Sequence, residues 1–277
     1  MKKTWIVTGS ATGIGASIAR AAMASGANVV ATDINAERLK AAYDGVDNVR
    51  WFTHDIRDAS QSEAVVAKTI EAFGRIDVLV NNAGYGQFGY FEQISQGDAE
   101  AQFSTNVFGT FNVTRAVLPI MRKQRSGHIF TMSSNSGFYG IPGASMYSAS
   151  KFALEGFIEA LAGEVAPFGI RNTLIEPGAF RTDFLTHRAV RYGTLEVADY
   201  AQMWARLKAI FDERDSTQIG DPDRLAAAVL VLLDAKEPPI HYVAGADALE
   251  RLEAKVALLQ AEMHTWHDLI VSTDFSD

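Results

Sequence analysis

Short apolar segments alternate with longer amphipathic segments along most of this chain. The short segments are nearly continuous in their apolar character, which is typical of strands that are buried on both faces of a parallel sheet. We predict seven strands, at residues 4–8, 28–32, 49–53, 78–81, 128–133, 171–175 and 240–243. Between them we predict helices near residues 14–25, 36–43, 60–73, 98–124, 147–166 and 222–233.

This regular alternation of strand and helix predicts an α/β fold. Parallel strands are joined by right-handed crossovers, which place helices on both faces of the sheet. We therefore expect residues 1–277 to form a single doubly wound, Rossmann-type domain with a parallel seven-stranded sheet. In such sheets, ligands bind beyond the carboxyl ends of the strands, near the point where the strand order reverses.

Composition narrows the classes of function. The net charge of the 277 residues is −8, so a basic surface for nucleic acid or for an anionic membrane is not expected. The chain has no cysteine, which excludes disulfides, thiol nucleophiles and thiolate metal sites. No segment approaches the roughly 20 apolar residues of a membrane span, and the apolar run near the N-terminus breaks at Thr8-Gly9. We therefore expect a cytoplasmic protein without a signal peptide.

A glycine-rich turn joins the first predicted strand to the first predicted helix, and it contains Gly9, Gly13 and Gly15. Glycine lets the backbone turn sharply and approach a pyrophosphate closely. The N-terminus of the following helix supplies unpaired N–H groups and the positive end of its dipole. Any tight turn from strand to helix can look similar, but this context favours a dinucleotide site.

Asp33, at the end of the second strand, bears on the choice of dinucleotide. A carboxylate at this position can accept hydrogen bonds from the adenosine ribose and repel a 2′-phosphate, so we expect NAD rather than NADP. An aspartate here can also simply open the next helix. Arg38 and Lys40 follow one to two helical turns later and could still reach a phosphate.

Candidate proton chemistry comes from one helix and the end of one strand. Tyr147 and Lys151 are four residues apart, so they lie on one face of the predicted helix. A phenol with its usual pKa of about 10 is a poor base at neutral pH, and a neighbouring ammonium favours the phenolate. The hydroxyl of Ser134 could hold a carbonyl oxygen at the same place. Each residue also has an ordinary role, in a solvated helix pair or a turn, so the interpretation depends on their convergence.

The chain resembles the short-chain dehydrogenase/reductase family over nearly its whole length. The matching motifs, in the family's order and spacing, are Thr8-Gly9-x-x-x-Gly13-Ile14-Gly15, Asn81-Asn82-Ala83-Gly84, Asn106, Ser134, Tyr147-Ser148-Ala149-Ser150-Lys151 and Pro177-Gly178. The resemblance implies a catalytic set of Asn106, Ser134, Tyr147 and Lys151. It implies cofactor contacts from Gly9, Thr12, Gly13, Ile14, Gly15, Asp33, Asp55, Ile56, Asn82, Ala83, Gly84, Tyr147, Lys151, Pro177, Gly178 and Thr182.

Several roles rest on this resemblance alone. Asp55 is expected to contact the adenine, Thr182 to hold the nicotinamide carboxamide, and Asn106 to anchor a water that links Lys151 to solvent. Asn106 lies in an apolar helical stretch, so its side-chain amide can equally be a buried structural group that makes its hydrogen bonds inside the core.

The expected mechanism is hydride transfer combined with proton transfer, without a metal. Tyr147, as phenolate, takes the proton of a hydroxyl group, and Ser134 donates a hydrogen bond to the reacting oxygen. The positive charges of Lys151 and of the oxidised nicotinamide are expected to lower the pKa of the phenol.

A narrower resemblance is to the branch near 17-beta-hydroxysteroid dehydrogenases. It is carried by residues 81–86, 122–129 and 176–184 and by tail segments 244–248 and 272–275. This resemblance implies a hydroxysteroid-like substrate. Because members of that branch often prefer NADP, Asp33 is a departure from it.

The substrate side is expected to be apolar. The stretch 179–220 is long and irregular for a compact domain, which is typical of a lid or a binding loop. Its stripe of Val197, Tyr200, Trp204, Leu207 and Phe211 is more typical of packing than of a substrate wall. The predicted pocket residues are Tyr85, Phe138, Tyr139, Met146 and Phe180, which indicate a bulky, apolar secondary alcohol or ketone.

The C-terminal region, 246–277, is predicted to be a helix and tail. Leu249, Leu252, Val256 and Leu259 give it an amphipathic face, which is expected to pack on the body or on a partner subunit. The family resemblance implies a homodimer or homotetramer. The segment 264–267 does not have the spacing of a zinc-binding helix.

Two other functions remain open from the sequence. One is an NADP-linked reductase of β-ketoacyl thioesters or of carbonyl compounds in general, although an acidic surface is unfavourable for docking an acidic carrier protein. The other is a dinucleotide-sensing protein without catalysis, against which the intact serine, tyrosine and lysine set counts.

Overall fold

The computed structural model describes residues 2–185, 189–214 and 217–275. Its strands are β1 (Thr4–Thr8), β2 (Asn28–Asp33), β3 (Val49–Thr53), β4 (Val78–Asn81), β5 (Gly86–Phe88), β6 (Gly127–Met132), β7 (Ile170–Pro177), β8 (Val190–Tyr192) and β9 (His241–Ala244). Its helices are α1 (Gly13–Ala24), α2 (Ala36–Tyr43), α3 (Ala59–Phe73), α4 (Gln96–Phe103), α5 (Thr110–Gln124), α6 (Ser145–Val165), α7 (Ala201–Arg214), α8 (Pro222–Asp234), α9 (Ala246–Thr265) and α10 (His267–Val271).

Seven of the strands form one parallel sheet, in the order β3-β2-β1-β4-β6-β7-β9. The predicted α/β fold class is therefore confirmed. The strand order reverses between β1 and β4, since the chain first runs outward to β3 and then returns to the other side of β1. The carboxyl ends of these two strands are thus the expected place for a ligand.

Alternate residues of the strands build two separate cores, one on each face of the sheet. Trp5 and Val7 of β1 point into a core that α1 and α8 cover, together with Ile18 and Val229. Ile6, between them, points into the opposite core, which α3, α5 and α6 cover. Because both faces are covered by helices, β1 is buried along its whole length and its sequence is apolar without a polar alternation.

The helix predicted at 98–124 is interrupted in its middle. The segment Ser104–Gly109 is π-helical and lies between α4 and α5. Gly109 allows close packing there, because a Cβ atom at this position would lie 2.6 Å from two side-chain carbons of Ile56. A π-helical turn carries one extra residue relative to an α-helix and is frequent at functional sites, and this one contains Asn106.

The stretch 179–220 is less irregular than the sequence indicated. Its residues 190–192 form β8, which pairs in parallel with β5 outside the main sheet. Its second half contains α7, and Trp204 and Phe211 of that helix pack against a small apolar cluster around Tyr147. The short strand β5 was not predicted, because three residues carry too little periodicity.

No helix within the described parts of the chain is both long enough and apolar enough to cross a membrane.

Replacing Ile6 by alanine should destabilise the protein by about 2–5 kcal/mol, because it leaves a cavity in the fully buried core between the sheet and the helices. Urea denaturation at one fixed protein concentration measures this change. The matched control is Ile34→Ala, whose side chain is 72% exposed and whose loss should change stability by less than about 0.5 kcal/mol. Equal losses in the two variants would contradict the described core.

Candidate active site

The glycine-rich turn is packed against the end of β4. Gly9 has a φ of +62°, and a Cβ atom there would lie 2.8 Å from Cα of Ala83. At Gly15, a Cβ atom would lie 2.4 Å from both Nδ2 of Asn82 and the carbonyl oxygen of Gly9. Both positions therefore exclude a side chain, and the turn is held close to the strand that lies across the reversal of strand order.

Hydrogen bonds from β4 fasten this turn. Oγ1 of Thr8 accepts from the backbone N–H groups of Asn82, at 3.0 Å, and Ala83, at 3.1 Å. The Asn82 side chain donates to the carbonyl oxygens of Thr8 and Gly9, both at 2.9 Å. The predicted cofactor residues of the two motifs, including the neighbouring Gly84, thus come together at one edge of the sheet.

The N-terminus of α1 is open to an anion. Thr12 is its N-cap residue, and the side chain makes no capping hydrogen bond. The first-turn N–H groups, from Gly13 and Ile14 onward, therefore have no side-chain acceptor, which suits a phosphate. Gly13 has a φ of +59°, and the side chain of Thr182 lies 3.5 Å from the position that a Cβ atom would take there.

Asp33 lies beside the same turn. Its carboxylate accepts from the backbone N–H of Asn35 at 2.9 Å and from that of Ala11 at 3.4 Å. The Asp33 side chain is thus held at the carboxyl end of β2, where it was predicted to meet a ribose.

The carboxylate of Asp55 has a partner within the protein. The Arg57 guanidinium donates to it at 2.6–3.1 Å and holds the pKa of Asp55 below its usual range. Ile56, the next residue, is buried under Gly109. The backbone N–H of Asp55 donates to Oε1 of Gln61 at 2.9 Å, so the predicted contact with an adenine would fall to the remaining acceptor sites of the carboxylate.

The end of β7 contributes Pro177 and Gly178. The N–H of Gly178 donates to the carbonyl oxygen of Ala244 at 2.9 Å. A Cβ atom at Gly178 would overlap the carboxylate of Asp247, the second residue of α9. That carboxylate accepts from the N–H of Ala179 at 2.8 Å, so the loop after β7 is fixed to the start of α9.

The predicted serine, tyrosine and lysine come together, and all three are buried. The Ser134 side chain lies close enough to the hydroxyl of Tyr147 to lower its pKa. The Lys151 ammonium lies 5.7 Å from the centroid of the Tyr147 ring and donates to the carbonyl oxygen of Met132 at 2.7 Å. The convergence that the sequence required is present at the carboxyl end of β6.

Burial dominates the titration of this group. It raises the pKa of Tyr147 to about 12, and the neighbouring Ser134 side chain offsets only part of the rise. It lowers the pKa of Lys151 to about 8, against the opposing effect of the Glu155 carboxylate. The cost of ionising a buried phenol is the largest effect on the pKa of Tyr147, and the lowering expected from Lys151 stays a prediction.

Asn106 is held by the π-helical segment in contact with the loop that follows β4. Its Oδ1 accepts from the N–H of Tyr85 at 3.1 Å, and its Nδ2 donates to the carbonyl oxygen of Tyr85 at 3.0 Å and to Oγ of Ser150 at 3.2 Å. Asn106 is thus a satisfied core amide, the ordinary role considered above, and Ser150 links it to the helix of Tyr147 and Lys151.

A carboxyl pair that the sequence analysis missed lies further along the same face of α6. Glu155 follows Lys151 by four residues and is buried, and a carboxyl oxygen of Glu155 lies within 4.8 Å of a carboxyl oxygen of the buried Glu176 of β7. Oγ of Ser133 donates to a carboxyl oxygen of Glu155. Nδ1 of His241, in β9, lies 2.7 Å from Oε1 of Glu176. Burial raises the pKa of both carboxyls. The spacing of four residues from Tyr147 through Lys151 was the available signal.

Aromatic side chains cover Tyr147. Its ring lies 5.8 Å from that of Phe88, edge to face, and 5.8 Å from that of Phe184. Phe211 of α7 stacks on Phe88 at 4.9 Å. Phe88 lies in the unpredicted strand β5 and was missed.

The predicted pocket residues do not all reach this cluster. Phe180 packs against Gly220 on the α1 and α8 side of the sheet, because the chain turns away from Tyr147 directly after β7. Tyr139 is 38% exposed, with the Arg251 guanidinium 5.8 Å from its ring centroid. Phe138 and Met146 are half-buried, and the half-buried ring of Tyr85 lies against Arg191 at 4.6 Å.

Comparisons with known proteins agree with this architecture. A family model for short chain dehydrogenase matches residues 3–191. The oxidoreductase BOA17 of Botryotinia fuckeliana is 37% identical over 99% of this chain and 100% of its own length. The 3-ketodihydrosphingosine reductase of Bacteroides thetaiotaomicron is 36% identical over 87% of each chain. The solved structure of a short-chain dehydrogenase from Streptomyces avermitilis is 38% identical, with a TM-score of 0.89 over 99% of this chain and 100% of that one.

The buried carboxyl pair should make stability fall as the pH rises. In the unfolded chain a glutamate has a pKa of about 4.3, whereas burial raises the pKa of Glu155 in the folded protein. Between these two values the folded state holds more protons than the unfolded state, so the free energy of unfolding decreases with increasing pH. Glu155→Gln keeps a donor toward Glu176 without an ionisable group, and should flatten this decrease.

Thermal unfolding from about pH 5 to about pH 8 tests this expectation over the window in which the linkage acts. The matched control is Glu164→Gln, near the end of α6, where the residue is exposed and the wild-type slope should remain. A wild-type slope in Glu155→Gln would show that the buried pair does not titrate in this range.

Proposed function

The chain belongs to the short-chain dehydrogenase family, and on that basis we propose that it oxidises a bulky, apolar secondary alcohol with NAD, or reduces the corresponding ketone with NADH. The observation that carries the proposal is the buried convergence of Ser134, Tyr147 and Lys151 beside the reversal of strand order. The proposal treats residues 1–277 as one catalytic unit, in which 179–220 act as a lid over the substrate.

The glycine-rich edge of the sheet fits a dinucleotide. Gly9 and Gly15 have no room for a side chain, and the first turn of α1 has N–H groups without a side-chain cap. Asp33 would hold the adenosine ribose, Thr182 would lie at the nicotinamide end, and Asn82 keeps the turn in place. A bound nicotinamide dinucleotide supplies the hydride acceptor in oxidation and the hydride donor in reduction.

The protein's own part in the reaction is to move one proton and to orient one oxygen. Tyr147 takes the hydroxyl proton in oxidation and returns it in reduction. Ser134 donates a hydrogen bond to the same oxygen. The Lys151 ammonium, held by the carbonyl oxygen of Met132, favours the phenolate at the moment of transfer, and the positive charge of oxidised NAD acts in the same direction.

Asn106 has a positioning role in this proposal. Through Ser150 and the backbone of Tyr85, it keeps the π-helical segment aligned with α6. A water held near this amide would connect Lys151 with solvent, as the family resemblance implies.

An apolar substrate is supported by the side chains around Tyr147. Phe88, Phe184 and Phe211 lie within the same cluster as the phenol, and such walls select apolar compounds by shape and burial. A hydroxysteroid-like alcohol fits this description. The relative named for reducing 3-ketodihydrosphingosine supports a ketone as the oxidised partner.

Replacing Tyr147 by phenylalanine should lower kcat by about 10²–10⁴-fold, because it removes the group that transfers the proton. Cofactor binding, followed by the quenching of tryptophan fluorescence, should remain. The activity screen pairs NAD and NADP with steroids, aliphatic secondary alcohols, polyols and β-keto thioesters, in both directions. Tyr242→Phe, in β9, is the matched control and should keep wild-type turnover. Full activity in Tyr147→Phe would favour a different chemistry or a sensing role, and steroids inert in both directions would end the hydroxysteroid-like proposal.

Replacing Asp33 by alanine should reduce kcat/KM for NAD by about tenfold or more and raise it for NADP, because it removes a charged acceptor and a repulsive charge. Steady-state kinetics with both dinucleotides measure the ratio. Asp47→Ala, in the exposed loop before β3, should leave the ratio unchanged. A wild-type preference for NADP would instead assign recognition of the 2′-phosphate to the basic side chains of α2.

A further inference from the structure

The C-terminal helices leave the body of the protein. The first turn of α9 is attached to it, with Ala248 fully buried and Asp247 bound to the loop after β7. One turn later, Arg251 still lies against Tyr139. From Val256 to residue 275, every described residue is exposed. The expectation that this region packs on the body therefore holds only for its start.

The exposed part carries a regular apolar seam. Apolar residues follow one another at spacings of three and four alternately, at Leu249, Leu252, Val256, Leu259, Met263, Trp266 and Ile270. From Leu249 to Met263, within α9, this is the 3.5-residue period of a helix that packs along its length against another helix. Trp266 lies between α9 and α10, so Trp266 and Ile270 extend the seam beyond the end of α9. Such a period keeps the apolar side chains facing a partner helix along the whole length of the contact.

The amount of exposed apolar surface matches a protein interface. Leu249, Val256, Leu259, Met263, Trp266 and Ile270 are each 44–64% exposed, and so is the adjacent Leu269. Together they offer roughly 700 Å², which is close to what each partner contributes to a stable interface. A monomeric protein rarely exposes a contiguous apolar patch of that size.

The charges beside the seam indicate the orientation of the partner. In a two-fold antiparallel pair with Val256 opposite Leu259 of the partner subunit, Lys255 and Glu262 of the partner subunit flank the seam on the same side, about two residues apart along its axis. Symmetry forms this ion pair twice. The alignment shifted by one heptad would bring two copies of Glu262 together, and a parallel pair would place Lys255 opposite the uncharged Gln260 of the partner subunit. The antiparallel alignment centred between residues 257 and 258 is therefore favoured.

We propose that α9 and α10 form an antiparallel helix pair with the same helices of a second copy of this chain. The acidic character of the segment, with Asp247, Glu250, Glu253, Glu262 and Asp268 against Arg251 and Lys255, disfavours an anionic membrane as the occupant.

Sedimentation equilibrium of the full chain tests the assembly. The wild type should be at least dimeric at micromolar concentration. Val256→Glu combined with Leu259→Glu should halve the mass, with an increase in Kd of at least about 30-fold, because two charges would be buried in the seam. Ala261→Glu, on the opposite side of the same helix, is the matched control and should assemble as the wild type does. Circular dichroism and thermal unfolding confirm that the body of each variant is folded.

Charge reversal tests the orientation. Lys255→Glu and Glu262→Lys should each weaken assembly, and the two together should restore it, because the reversed pair is again complementary in the antiparallel alignment alone. Since the chain has no cysteine, Met263→Cys gives a second readout: it should not form an intersubunit disulfide on oxidation, because the two copies of residue 263 lie far apart on either side of the two-fold axis, whereas a parallel pair would bring the two sulfurs together.

Three outcomes would overturn the proposal. A wild-type chain that is monomeric throughout the micromolar range would do so, including one that instead binds phosphatidylglycerol vesicles. Unchanged assembly in the double glutamate variant would place the interface elsewhere. Disulfide formation by Met263→Cys would exclude the antiparallel orientation.

Discussion

The burial of one ammonium group organises the candidate active site. Lys151 is removed from water in the middle of a mostly apolar protein, and such a charge is tolerated only when polar atoms surround it. The carbonyl oxygen of Met132 accepts a hydrogen bond from the ammonium, and the nearby carboxyl of Glu155 favours its charged form. Because Met132 ends β6 and Lys151 lies in α6, these contacts hold the carboxyl end of β6 against the first turns of α6. The same approach brings Ser134 into contact with Tyr147, so the reacting group and its support come from one packing requirement.

The opposite side of the site depends on close approach of backbone to backbone. Gly9 and Gly15 let the turn after β1 touch the end of β4, and the Thr8 and Asn82 side chains satisfy the polar groups left there. The carboxyl ends of β1 and β4, which are neighbours in the sheet although they are not consecutive in the chain, are thereby held together. The cleft for a dinucleotide and the pair of proton-transferring residues then share one edge of a rigid sheet.

Much of this arrangement could be predicted from the sequence, because it depends on strong local patterns. The seven strands, the glycine-rich turn and the spacing of Tyr147 and Lys151 each leave a signature in a short window of residues. The features that were missed lack one. The strands β5 and β8 are three residues long, the pair of Glu155 and Glu176 joins residues from a helix and a strand, and Phe180 depends on how a loop turns after β7. Whether another helix packs on α9 depends on how copies of the chain assemble. A single chain therefore shows only that the apolar seam of α9 is exposed.

The π-helical turn around Asn106 has a consequence for how this segment can vary in length. A π-helical turn holds one surplus residue between two stretches of α-helix. Loss of a single residue between Ser104 and Gly109 would therefore restore regular helical winding and leave the facing of α5 on the sheet unchanged. The amide that reaches Tyr85 and Ser150 would then lose the position that the extra residue gives it. A change of one residue in the length of this segment would therefore act directly on the site.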